Sequence, residues 1–208
     1  MKLKSFGCSF VYGSELADCG FKSTTPSRLT YPALLAQDLG YEYNCHARGG
    51  SGNLQILNSI LEHVNQEPAL FVVNWTWIDR FDYVDNQELW QTLLPGHDDR
   101  LSDFYYRNLH SQYIDKLRTL TCMFTAINAL KQRHQFIMTA MDDLIAETRF
   151  HFNPAIEYLQ HEVLPYIKSF DGCNLLDFAR KNNYEVSDLW HPLEAAHQAA
   201  YRIVRTWI

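Results

Sequence analysis

A serine near the start of this chain, Ser9, and an aspartate and histidine near its end, Asp188 and His191, are the residue types of an acyl-transfer site. A serine hydroxyl is a weak nucleophile until a base takes its proton, and an imidazole serves best when a carboxylate fixes its tautomer. Asp188 and His191 stand three apart just before Pro192, a spacing that can set both side chains on one side of a tight turn. Cys8 is a rival nucleophile, but neighbours in a strand point to opposite faces, so only one of Cys8 and Ser9 can enter a site. Each residue also has a plainer reading, Ser9 as a turn residue and His191 as a packing or capping residue beside proline.

Gly49-Gly50-Ser51-Gly52-Asn53 supplies a different chemistry. Backbone N–H groups at a helix N-terminus form an anion site, which suits either a phosphate or the oxyanion of an acyl-transfer intermediate. The cluster is neither Gly-x-Gly-x-x-Gly nor a Walker loop with its lysine, so oxyanion binding ranks first. Gly52 and Gly50 are the candidate N–H donors beside Ser9 itself. His197, six residues beyond His191, falls on a different helix face, and the five cysteines carry no Cys-x-x-Cys. No metal site and no cofactor are expected.

These residues need elements to position them. Leu3 to Phe10 reads as a buried strand running into a loop, and the segment from Val11 to Arg28 shows no period. Pro32, Leu35, Leu39 and Gly40 mark a helix with a first-turn proline and a glycine stop. Tyr41 to His46 is a second short strand, followed from Asn53 by a helix with Leu54, Leu57, Leu61 and Val64 on its apolar face. Ala69 to Trp75 is a continuous apolar run, the mark of a strand buried on both faces at the sheet centre. Ile114 to Leu130 predicts a long helix and Phe136 to Ala140 a fourth strand. Ile156 to Tyr166 predicts another helix, Asn174 to Phe178 a short fifth strand, and the residues after Pro192 a closing helix carrying Ala196, Ala200, Ile203 and Trp207. Strands alternating with helices require a mainly parallel sheet covered on both faces. The expected fold is therefore α/β, a three-layer α/β/α sandwich with about five strands in a flavodoxin-like sheet, and ligands bind beyond the strands' carboxyl ends.

Composition bounds the rest. With 208 residues the chain reads as one domain over 1–208, with an aromatic and acidic insert at about 79–113 that suggests a lid or a small core of its own. A net charge of −6 argues against a nucleic-acid partner, which needs clustered Lys and Arg. No signal-peptide pattern and no window of membrane-spanning length are present, so a cytoplasmic, soluble protein is expected.

Taken together, Gly7-Cys8-Ser9-Phe10 with Gly13, Arg48-Gly49-Gly50-Ser51-Gly52-Asn53 and Asp188-Leu189-Trp190-His191-Pro192 resemble three blocks of the SGNH, or GDSL-like, hydrolases, in the family's order. The resemblance implies Ser9 as nucleophile rather than Cys8, His191 as base and Asp188 as its orienting carboxylate; Trp190, next to His191, is a candidate substrate-binding residue. It also implies an asparagine donor after the central strand, where this chain runs Asn74-Trp75-Thr76-Trp77-Ile78-Asp79-Arg80 and departs from the pattern. Asn74 and Thr76 are the nearest candidates, and Arg80 is a charged donor or a ligand for an acidic substrate. The implied activity is hydrolysis of small-molecule or carbohydrate esters. The alternatives are an inactive binding or structural module on the same fold and a flavin- or nucleotide-binding protein.

Overall fold

The computed structural model describes residues 1–20 and 23–208; Phe21 and Lys22, in the segment read as aperiodic, lie outside the described residues. Five parallel strands form the main sheet: β1 (Lys2–Phe6), β2 (Glu42–Cys45), β3 (Leu70–Trp75), β6 (Gln135–Ala140) and β7 (Ile167–Lys168), in the order β2-β1-β3-β6-β7. Every residue of the central strand β3 is buried, as its unbroken apolar run requires. Its side chains alternate between two cores. Phe71, Val73 and Trp75 pack with α3 (Asn53–Leu61), α5 (Gln112–Leu130) and α6 (Pro154–Val163), while Leu70 and Val72 pack with α2 (Tyr31–Asp38), α7 (Leu175–Lys181) and α8 (Glu194–Arg205). This is the three-layer α/β/α arrangement with flavodoxin-like strand order. Because β2 and β3 lie on opposite sides of β1, the chain reverses direction across the sheet between β1 and β3, and the loops beyond those strands open a crevice there.

Three expectations need correction. Asn174 to Phe178 is not a strand: the Asn174 side chain accepts the Asp177 N–H and starts helix α7, and the fifth strand is the two-residue β7. In α3 the buried face is Asn53, Ile56, Leu57 and Ile60, whereas Leu54 and Leu61 are exposed. Ser9 does not end a strand. It is the first residue of a one-turn helix, α1 (Ser9–Tyr12), with Cys8 as its N-cap.

The segment 79–113 contains a β4–β5 hairpin (Phe81–Val84 with Trp90–Leu93) and helix α4 (Arg100–Asn108), whose N-cap Asp99 accepts from Leu101 and Ser102. Phe81, Tyr105 and Tyr106 pack on one another in a small core of their own. Among the described residues no helix is long and apolar enough to cross a membrane.

Candidate active site

Ser9 and His191, 182 positions apart in the chain, meet: Ser9 Oγ lies 2.8 Å from His191 Nε2. Strand β1 delivers the chain to Gly7, and the turn into α1 leaves Cys8 buried in the core while Ser9 stays partly open. The strand-to-helix turn, not strand alternation, is what separates the two side chains. His191 sits on the far arm of a hairpin from Ser187. The Ser187 N–H donates to His191 O and the Trp190 N–H to Ser187 O, both at 2.9 Å, and Trp190 takes the left-handed conformation with φ 69°. That is a three-residue loop of a type I turn followed by a left-handed residue.

Such a loop throws its three tip residues outward. Asp188, Leu189 and Trp190 are exposed, and Asp188 forms neither a hydrogen bond nor an ion pair with His191. The carboxylate on His191 Nδ1 is Glu15. Because a carboxylate only accepts, the contact places the proton on Nδ1 and leaves Nε2 to accept from the Ser9 hydroxyl. The contact to His191 expected of Asp188 is therefore made by Glu15, in line with Ser9 on the ring's other nitrogen.

Helix α1 ends at Gly13, whose φ is 81° and whose missing side chain leaves room for Ser27 and Thr30; a Cβ there would lie 2.4 Å from that of Ser27. The chain turns back at once, and Glu15, itself left-handed at φ 71°, points at His191. A non-glycine residue held in that region costs roughly 1–3 kcal/mol and persists only where surroundings over-determine it. Here they do. Ser187 Oγ donates to Glu15 Oε2 at 2.6 Å and accepts the His191 N–H at 3.1 Å, and Glu194 Oε1 accepts the Ala17 N–H at 2.7 Å. Burial raises the Glu15 pKa, but the hydrogen bonds from Ser187 and His191, with the attraction of His191, outweigh it and hold the group below the ordinary glutamate value. No motif in the sequence singles out Glu15, which is one acid in an aperiodic loop; its only mark is its place just after Gly13.

The glycine loop lies alongside, since the Arg48 N–H donates to Gly7 O at 3.1 Å. Its glycines differ. Gly52 N–H donates to Asp82 Oδ1 and Gln55 N–H to Asp82 Oδ2, each at 2.9 Å, so Asp82, buried and also bound by Thr92, caps helix α3. The donor expected of Gly52 is thus engaged. A Cβ at Gly52 would stand 2.6 Å from both Asp82 oxygens. Gly52→Ala is expected to break this cap and lower the unfolding free energy by about 1–2 kcal/mol, read from urea unfolding curves. Gly50, left-handed at φ 80°, has no hydrogen bond from its N–H to any described residue.

Beyond the central strand neither remaining candidate reaches the site. Asn74 is fully buried within β3 and donates to Thr139 Oγ1 at 3.0 Å. Thr76 is buried too, and Asn53 holds its backbone on both sides, accepting its N–H at 2.9 Å and donating to its carbonyl at 3.1 Å. Arg80 donates to Ser51 O at 3.0 Å and lies 4.9 Å over the Trp77 ring. Trp77 in turn packs edge-on against Phe10, and Phe10 against His191, at 5.5 and 5.4 Å. His197 is buried behind the site, accepting the Tyr31 N–H at 3.3 Å. Among the described residues no group of three metal-ligating side chains gathers.

No family model matches the chain, and no curated protein matches it. Solved structures do. A member of the lipolytic G-D-S-L family from Veillonella parvula is 10% identical, with a TM-score of 0.54 over 98% of this chain and 96% of that one. An acetyl xylan esterase is 12% identical, with a TM-score of 0.53 over the whole of both chains. A carbohydrate esterase family 2 enzyme with a carbohydrate-binding domain, from Myceliophthora fergusii, is 15% identical with a TM-score of 0.57; 99% of this chain matches 64% of that one. At such identities what is shared is architecture, and the architecture they share with this chain is the SGNH hydrolase fold.

Proposed function

We propose that the protein is a serine esterase in which Ser9 attacks an ester carbonyl, His191 takes the serine proton, and Glu15 holds His191 in the required tautomer. The observation that carries this reading is the continuous chain Ser9–His191–Glu15, with an acceptor nitrogen 2.8 Å from the hydroxyl it must deprotonate. As the tetrahedral intermediate collapses, His191 returns the proton to the departing alcohol. Water then repeats the cycle on the acyl-serine, releasing the acid. The Ser9 N–H and the Gly50 N–H are the donors we assign to the oxyanion, the Gly52 N–H, the Asn74 amide and the Thr76 backbone N–H being engaged elsewhere. The carbohydrate and acetyl xylan esterases among the solved structures make acetylated sugars one substrate class to assay.

A fluorophosphonate probe read by mass spectrometry tests the reading. A single adduct on Ser9, lost in Ser9→Ala and strongly slowed in His191→Ala, is the expected result. The engaged Gly52 N–H and Asn74 amide favour a second reading, a binding module that has lost catalysis. Folded wild-type protein that takes up no probe would establish that second reading over the first.

A further inference from the structure

Arg80 stands at the start of the insert, and its side chain turns back to the glycine loop. Nη1 donates to Ser51 O at 3.0 Å, and the guanidinium lies 4.9 Å over the ring of Trp77. Ser51 closes a turn: its N–H and its hydroxyl both donate to Arg48 O, at 3.2 and 2.9 Å, and Gly50 stands third with φ 80°. A positive φ at the third position alone makes this a type II turn. The turn's own hydrogen bond uses the Ser51 N–H, so the Gly50 N–H stays outside it, free for a ligand oxygen.

Such a donor acts through its position. It lowers the barrier only if it is already aimed when charge develops on the carbonyl oxygen, since reorienting it then would cost what the hydrogen bond returns. The segment from Thr76 to Asp82 supplies the framework around the turn. Asn53 brackets Thr76, and Asp82 takes the Gly52 and Gln55 N–H groups, contacts that fix the start of α3. Arg80 alone in this segment donates to the turn itself, and it does so from a fixed base: the Tyr106 hydroxyl donates to Asp79 O at 2.6 Å and the Ile78 N–H to Asp142 Oδ2 at 3.0 Å. Ser51 is only 2% exposed, so little water can take the guanidinium's place on its carbonyl. The other face of Arg80 leads to the base. Trp77 packs edge-on against Phe10 and Phe10 against His191, so one side chain joins the loop carrying the donor to the aromatic pair beside the imidazole.

We infer that Arg80 is a positioning residue, which holds the Arg48–Ser51 turn so that the Gly50 N–H meets the oxyanion formed at Ser9. It acts on the reaction through that turn, not through contact with the substrate. Where the chain departs from an asparagine donor after the central strand, it thus gains a tether on the Gly50 donor instead. The inference rests on the esterase reading and on Gly50 as its oxyanion donor.

The test compares 4-nitrophenyl acetate with its thiono counterpart, in which sulfur replaces the carbonyl oxygen. Sulfur is a weak hydrogen-bond acceptor on a longer bond, so the thionoester draws little from oxyanion donors. In Arg80→Ala, kcat/KM for the oxygen ester is expected to fall about ten- to a hundredfold and that for the thionoester less than about threefold, collapsing their ratio. Arg80→Lys keeps a charge and a donor without the plane that stacks on Trp77, and should fall between. Both esters are measured on one preparation, so any loss of folded protein cancels in the ratio. The pH dependence of kcat/KM should not move, because the tether acts on the loop and not on the imidazole. Equal losses on the two esters would make Arg80 merely structural, and a shifted pH profile with an unchanged ratio would put its effect on His191. Either result overturns the inference, while Ser9-dependent hydrolysis by the wild type keeps the esterase reading. Wild-type protein with no Ser9-dependent hydrolysis removes both.

Discussion

Replacing Glu15 by glutamine should lower kcat on an activated ester by roughly a hundred- to ten-thousand-fold, whereas Asp188→Asn should leave it within about twofold. The loss has two parts. A neutral amide at position 15 cannot stabilise the imidazolium that forms when His191 takes the Ser9 proton, and its NH2 group can donate to Nδ1, turning the ring to the tautomer whose Nε2 carries a proton. Position 188 offers neither effect, because the hairpin tip holds Asp188 in solvent. Ser187→Ala should fall between them, since its hydroxyl both donates to Glu15 and accepts the His191 N–H. Single-turnover acylation rates on the three variants are the measurement. A large loss in Asp188→Asn with little in Glu15→Gln would return the orienting role to the aspartate.

That contrast shows what spacing alone conveys. Asp188 and His191 are three apart, and a tight turn does lie there, but whether a turn gathers or splays its side chains depends on φ at Trp190, which residue types do not reveal. Glu15 reaches His191 through a positive-φ residue and three tertiary hydrogen bonds, none of which leaves a periodic trace in the chain. The glycine loop presents the same problem in reverse. Its position after β2 and before α3 was legible from strand-to-helix punctuation, yet Asp82, thirty residues on in the insert, decides that Gly52 caps a helix.

The sheet was more legible because burial on both faces forces an uninterrupted apolar run, as in Leu70–Trp75, and helices between such runs force parallel strands. It failed where elements are short. β7 has only two residues and no pattern to read, while Asn174-Leu175-Leu176-Asp177-Phe178 suits a strand by apolarity and a capped helix by Asn174, and the cap prevails. The insert was legible as aromatic and acidic, but its hairpin depends on cross-strand pairs such as Phe81 with Leu93, which become visible only once the register is known.

His197 leads to the second large effect, a loss of stability on mild acidification. Its ring is fully buried against Tyr31, and burial, followed by the charge of nearby His191, lowers its pKa from 6.5 to about 4. A histidine with a depressed folded pKa binds more protons unfolded than folded between those two values, so stability rises with pH across that window and is lost as pH falls from about 6.5 towards 4. At pH 5 this group alone should cost about 2 kcal/mol relative to pH 7.5. His46, likewise lowered to about 4 by burial and by His63, adds a further loss in the same window. Glu15 acts lower on the scale: its depressed pKa contributes stability above the unfolded value of 4.5, lost as pH falls through the folded one. Urea unfolding at pH 7.5, 6 and 5 should therefore give a sloping stability profile, and His197→Gln, which keeps an acceptor for the Tyr31 N–H, should make it markedly shallower. An unchanged slope in that variant would mean that His197 can ionise inside the fold. Its neutrality matters to the proposed chemistry, because the imidazolium that forms on His191 during acyl transfer would otherwise face a second positive charge across the end of α8.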